Sequence, residues 1–201
     1  MSGLEDAVRK SVSDLVAVRA SFALIGGLAV SARTTPRFTR DLDFAVAVRD
    51  DAESEALVRA LRDRGYEIVA QVEQEAVGRL AQVRLAPPGA PAEGAVLDLL
   101  FASSGIEREV VEGAESLEVV AGVRVPVASI GHLLALKVLS QDDRTRPQDR
   151  IDLRALAGAA SPSDLVAAKE ALSLVMQRGF GRERDLPALL ERIVKDGAAG
   201  T

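Results

Sequence analysis

Apolar residues Leu4, Ala7, Val8, Val12, Leu15 and Val16 recur at three- and four-residue intervals, which predicts an amphipathic helix over residues 4–16. The apolar run FALIG (22–26) reads as a short buried strand that Gly26 and Gly27 break, and LAVSAR (28–33) opens a helix. DLDFAVAV (41–48) returns to strand composition. DAESEALVRALRDRG (51–65) predicts a helix with Ala56, Leu57, Ala60 and Leu61 inward and Gly65 as its stop. YEIVAQV (66–72) and RLAQVRLA (79–86) alternate as strands do, and PPGAPAEG (87–94) is a loop. AVLDLLFA (95–102) is a continuous apolar strand with one aspartate inside it, and LEVVAGVRVPV (117–127) reads as two short strands turning near Ala121 and Gly122.

After Pro126 the pattern changes. Residues 129–141, 147–158, 161–179 and 185–197 all carry helical spacing, and Ser161-Pro162 is an N-cap followed by a proline at the first helical position. The chain therefore divides into a mixed α/β part, residues 1–127, and an all-helical part, residues 128–201. Its 201 residues suffice for a substantial core.

Composition narrows the chemistry. There is no cysteine, so disulfides, thiolate metal sites and a cysteine nucleophile are excluded, and a single histidine excludes a multi-histidine metal centre. A metal here needs oxygen ligands and is therefore hard, magnesium or manganese. Aromatic residues make up 3%, too few for base-stacking platforms, and a formal net charge of -5 excludes a uniformly basic nucleic-acid surface. No apolar run approaches the ~20 residues that span a bilayer, and the charged N-terminus lacks the apolar segment of a signal peptide. The expectation is a soluble, cytoplasmic protein with no membrane partner and no DNA partner.

Asp41 and Asp43 lie two apart on a predicted strand, so their side chains share a face while Leu42 and Phe44 point to the other. Two close carboxylates repel unless a proton or a cation intervenes. Taken alone, the pair also fits an exposed strand end with both aspartates solvated. Asp98 adds weight, because a carboxylate inside a buried strand is expensive unless it is paired, hydrogen-bonded or metal-bound. Antiparallel neighbours would bring it beside Asp41 and Asp43, where three carboxylates can hold two metal ions for displacement at phosphorus. The alternative is an aspartate satisfied by loop amides or by an arginine such as Arg84. Gly26 and Gly27, between strand and helix, allow close backbone approach to a phosphate at a helix N-terminus, or simply a tight turn.

The order strand, Gly-Gly, helix, strand with D-x-D, later strand with one aspartate resembles the nucleotidyltransferase superfamily with the DNA polymerase β-like core. More narrowly, it resembles the AbiEii/AbiGii-type nucleotidyltransferase toxins of abortive-infection and toxin–antitoxin systems. The resemblance is carried by Gly26 and Gly27, PRFTRDLDF (36–44), Asp98, and LLALKVLSQDDRTRPQDRIDL (133–153), over about residues 22 to 156. It implies an α+β fold, a nucleotidyltransferase-type mixed β-sheet flanked by helices, followed by a C-terminal helical bundle. It implies that residues 1–127 are the catalytic core, that Asp41, Asp43 and Asp98 are the catalytic and metal-binding carboxylates, and that Gly26, Gly27 and Lys137 contact nucleotide phosphates. Asp149 corresponds to the family's late acidic residue. Leu28 stands where the family usually has a serine or threonine, with Ser31 one helical turn later, and Gln148 stands where a basic residue often precedes the late aspartate.

Arg33, Arg37, Arg40, Arg144, Arg146, Arg150 and Arg154 cluster in the two segments that would flank the site, and Arg40 and Arg144 lie closest to the motifs. They suit a triphosphate or an RNA backbone, or are solvated charges. Lys137 can instead pair with Asp149 or Asp152, which share a helical face. The expected activity is Mg-dependent (or Mn-dependent) transfer of NMP from an NTP to a hydroxyl of RNA or protein, with a cognate antitoxin as partner. Two alternatives stay open: a non-catalytic nucleotide- or protein-binding member of the fold, and a small-molecule adenylyltransferase.

Overall fold

The computed structural model describes residues 3–74, 78–89, 94–141 and 147–198. Arg144, Arg146 and part of the 87–94 loop lie outside the described residues. In chain order the elements are α1 (Gly3–Ala17), β1 (Phe22–Ile25), α2 (Gly26–Arg33), β2 (Asp41–Val46), α3 (Asp51–Arg62), β3 (Glu67–Gln74), β4 (Arg79–Ala86), β5 (Val96–Leu100), α4 (Glu107–Glu112), β6 (Glu115–Val120), β7 (Val123–Val127), α5 (Ile130–Ser140), α6 (Pro147–Ala159), α7 (Pro162–Gln177) and α8 (Leu186–Ala198). The strands form one mixed sheet in the order β3-β4-β5-β2-β1-β7-β6.

β1 and β2 are central, and Leu24, Leu42 and Phe44 are fully buried. Burying a side chain of this size stabilises by about 1.5–3 kcal/mol, and strand alternation then turns Asp41 and Asp43 to the opposite face. β2 pairs in parallel with β5, aligning Asp43 with Asp98. The antiparallel arrangement expected from sequence is thus corrected. The β3–β4 hairpin intervenes between α3 and β5, and β4 lies antiparallel to β5, so β5 returns in the direction of β2. α5 packs against α6, α7 and α8, and α2 packs against α5 and α6. Leu133, Leu134 and Val138 of α5 join the same hydrophobic cluster as the central strands, and Lys137 and Ser140 of α5 line one cavity with Asp43 and Asp98.

Other departures have local causes. Val16 is 61% exposed, because the buried stripe of α1 is Val8, Ser11, Val12 and Leu15. In α3 the inward positions are Ser54, Val58 and Leu61, and Ala56 faces out. α4 escapes periodicity because it is only one and a half turns long. It is anchored by Glu107, whose carboxylate accepts hydrogen bonds from the amides of Ser103 (2.8 Å) and Ser104 (2.7 Å). β3 reads as half-buried but is exposed along its length, since it is the edge strand. The Ser161 cap forms as expected, with a capping box to Asp164.

Candidate active site

Register places four side chains in one row across the sheet. Arg84 on β4 faces Asp98 on β5, Asp98 faces Asp43 on β2, and Asp43 faces Ile25, the last residue of β1. Neighbouring strands lie about 4.8 Å apart, so the two carboxylates stand side by side, with Asp41 one step along the same face. Asp98, 1% exposed, is held by Arg84 through Nε to Oδ1 (3.0 Å) and Nη2 to Oδ2 (2.7 Å), and by Gln82 Nε2 to Oδ1 (2.7 Å). The side-chain carboxylates of Asp41 and Asp43 accept no hydrogen bond among the described residues. Burial first, then the charges of Asp98 and Asp41, push the Asp43 carboxyl up to about 7, although Lys137 and Arg84 draw it down.

The glycine turn closes against this row. Gly26 begins α2 at φ +66, and a Cβ there would stand 1.9 Å from Asp43 Oδ2. Gly27 is similarly covered by the Arg37 guanidinium, 2.5 Å from where its Cβ would be. The absence of both side chains lets the free amides of the first helical turn face the carboxylates and any phosphate between them. The substitution Gly26→Ala is expected to lower stability by at least about 1–2 kcal/mol from the left-handed conformation alone and to displace the Asp43 carboxylate. Thermal unfolding would register the first effect. An unchanged melting temperature would show that the turn relaxes freely.

The third wall is an ion-pair network. Arg37 binds Asp152 through Nε to Oδ1 (2.6 Å) and Nη2 to Oδ2 (2.8 Å). Lys137 Nζ reaches both Asp149 Oδ1 (2.7 Å) and Asp152 Oδ2 (2.7 Å), and Ser140 Oγ donates to Asp149 Oδ2 (3.2 Å). Burial alone would raise Asp152, but hydrogen bonds from Arg37 and Lys137 outweigh it and hold the carboxyl below the usual range. This network ties the segment before β2 to α5 and α6.

A cavity of about 740 Å³ opens between these walls. Gly26, Gly27, Asp41, Asp43, Asp98 and Lys137, all expected from sequence, line it together. Ser31, Arg40 and Asp149 do not. The Ser31 hydroxyl bonds the backbone of Arg37 (3.2 and 3.4 Å). Arg40 turns outward and stacks over Phe38, 5.5 Å from the ring centre. Asp149 is buried behind Lys137. Leu28 packs in the core, which removes it from the cavity wall. Arg33 is tied to Glu115 (2.6 Å) and to the backbone of Val127 and Ala128, while Arg150 and Arg154 are exposed outside the cavity. Sequence reasoning passed over Gln82, Arg84 as a site residue, and Arg182, and offered Arg37 for a triphosphate or RNA backbone where the structure pairs it with Asp152. Arg84 and Gln82 carried a signal, two polar residues on one face of a strand, but only the register assigns that face to Asp98.

A divalent cation is the group the resemblance implies. Among the described residues no three His, Cys, Asp or Glu side chains converge as a ready metal cage. The donor chemistry fits a hard cation nonetheless. The carboxylates of Asp41 and Asp43 are oxygen donors without a hydrogen-bond partner among the described residues, and the proton affinity of Asp43 is raised by burial first and then by the charges of Asp98 and Asp41. Asp98 would join them only by releasing Arg84. No helix among the described residues is long and apolar enough to cross a membrane.

Residues 12–197 match the family described as "Nucleotidyl transferase AbiEii toxin, Type IV TA system". No curated protein matches the chain. Among solved structures, an antigenic nucleotidyltransferase-like protein from Paracoccidioides brasiliensis is similar in fold, with TM-score 0.53 and 20% identity over 94% of this chain and 92% of that one. A lincomycin-bound lincosamide antibiotic adenylyltransferase gives TM-score 0.49 and 15% identity over 78% and 98% of the two chains. A nucleotidyltransferase from H. pylori gives 0.48 and 18% over 98% and 96%.

Proposed function

Because the chain belongs to the AbiEii nucleotidyltransferase family, we propose that it transfers NMP from an NTP to a hydroxyl of RNA or protein, with Asp41, Asp43 and Asp98 as its catalytic carboxylates. The observation that carries this reading is the row Arg84–Asp98–Asp43 ending at the Gly26 helix turn, inside one cavity with Lys137. Asp41 and Asp43 would hold magnesium or manganese, which neutralises phosphate charge during displacement. The amides of Gly26 and Gly27 and the Lys137 ammonium orient the phosphates, so that positioning and charge stabilisation supply most of the rate. The acceptor oxygen attacks the α-phosphorus, a new P–O bond forms, and the bond to the pyrophosphate oxygen breaks. Arg84, 40% exposed, is placed to share its guanidinium between Asp98 and the developing phosphate charge, which frees Asp98 to take the acceptor's proton.

The family description supports a further part of the reading: a toxin restrained by an antitoxin. Residues 1–127 would carry the catalytic carboxylates and the glycine turn, α5 would add Lys137, and the remaining helices would take the acceptor or that partner. The test is incubation with each labelled NTP, magnesium, and total RNA or protein extract. Label transfer is expected to one of these and to vanish in Asp41→Ala and Asp43→Ala. Transfer that survives both substitutions would sink the assignment. Tight NTP binding with no transfer to any acceptor would instead mark a non-catalytic member.

A further inference from the structure

We infer that Arg182 grips the terminal phosphates of the NTP, an inference that rests on reading the cavity as an NTP site. Arg182 lies in the turn between α7 and α8, far in sequence from every motif, yet it lines the cavity. Four cations line that cavity among the described residues. Arg37, Arg84 and Lys137 are each bound to aspartates. Arg182 makes no hydrogen bond or ion pair among the described residues. An incoming polyphosphate can therefore engage Arg182 without breaking an existing ion pair, and charge-assisted bonds from a guanidinium to phosphate are among the stronger polar contacts.

The turn is built to hold this side chain in place. Arg178 pairs with Glu109 (2.6 Å) and bonds the carbonyl of Gly105. Phe180 is buried against Gly105, where a Cβ would come within 2.5 Å of its ring. Arg184 donates to the carbonyls of Gln141 (3.1 Å) and Leu139. These anchors fix both flanks of residues 181–183, one to α4 and the loop before it, the other to the end of α5. The second anchor sets the turn beside the last turn of α5, which holds Lys137 and Ser140. Arg182 and Glu183 are consecutive non-glycine residues in the left-handed region, φ +52 and +55. Such strain persists where the surroundings over-determine it, and it gathers at ligand sites. A glycine would serve the turn better if only the turn mattered.

The experiment compares the wild-type chain with Arg182→Ala, Arg182→Lys and Arg182→Gly, by titration calorimetry with magnesium and each NTP, the matching NMP, and inorganic pyrophosphate. Affinity for the preferred NTP and for pyrophosphate is expected to fall about 10- to 100-fold in the alanine and glycine variants. NMP affinity should stay unchanged, and lysine should restore part of the loss. The melting temperature of Arg182→Gly should hold or rise. Equal NTP affinity in wild type and Arg182→Ala overturns the inference, as does an equal loss for NMP or a glycine variant that loses stability together with affinity. A wild-type protein that binds NTP and pyrophosphate through Arg182 yet transfers nothing supports this inference while sinking the transferase reading.

Discussion

Asp43→Asn is expected to abolish nucleotide transfer, by at least about 10³-fold, and to stabilise the metal-free protein at pH 8. The two effects share a cause. The Asp43 carboxyl is pushed up to about 7 from 3.8, by burial and then by Asp98 and Asp41. The folded state therefore keeps a proton that the unfolded chain loses near pH 4. The associated stability is fully present below that pH and is lost as pH rises through 7, by on the order of 4 kcal/mol. Thermal unfolding of the metal-free wild type should show a melting temperature roughly 10 °C lower at pH 8 than at pH 4.5, from this group alone. Magnesium at pH 8 should restore much of it, because the cation replaces the proton. Asp43→Asn should flatten this contribution and no longer respond to magnesium. A variant that melts with the wild-type pH profile would show that Asp43 is solvated and unstrained.

The second large effect is structural. Asp152→Ala should destabilise by about 3–5 kcal/mol, the usual cost of leaving buried partners unpaired. Asp152 is 1% exposed and receives charge-assisted bonds from both Arg37 and Lys137. Losing it leaves Arg37 without its anchor over Gly27 and sets Lys137 on Asp149 alone. Denaturant unfolding measures the cost, and the double substitution Asp152→Ala with Lys137→Met should recover part of it, since neighbouring charges are not additive. Because Asp152 is held below the usual carboxylate range, the stability it contributes is present above the unfolded aspartate value. It is lost only as pH falls through the lower folded value. A loss under about 1 kcal/mol would mean that the two cations find other partners, water included.

Much of this was readable along the chain, and the reasons differ by element. Alternation of apolar and polar residues fixes strand faces, so Leu42 and Phe44 inward and Asp41 and Asp43 together on the other face follow from period two alone. The glycine pair, the capped start of α7 and the helical character after Pro126 are likewise local. α4 was not readable because six residues carry too little periodicity, and in α3 the covered side takes Ser54 and Val58 with Leu61 rather than Ala56, a choice that depends on which side of the helix the sheet covers. At the site, the residue types were legible while their partners were not. On sequence Arg84 is one of the counter-ions open to Asp98, and the sheet brings the two together.

By itself, then, the sequence determined which residues are chemically costly: a D-x-D strand, a lone aspartate among apolar neighbours, a glycine pair before a helix and a lysine in an apolar helix. Tertiary structure alone decided how those costs are met. Parallel pairing of β2 with β5 sets Asp98 against Asp43 and Arg84 against Asp98. Packing of α5 and α6 on α2 brings Asp149 and Asp152 to Lys137 and Arg37, and the α7–α8 turn carries Arg182 into the cavity. The physical reason is range. Side-chain periodicity and backbone preference act over a few residues, whereas charge compensation joins groups from 12 residues apart (Lys137 and Asp149) to 115 (Arg37 and Asp152), whose meeting depends on strand order and helix packing.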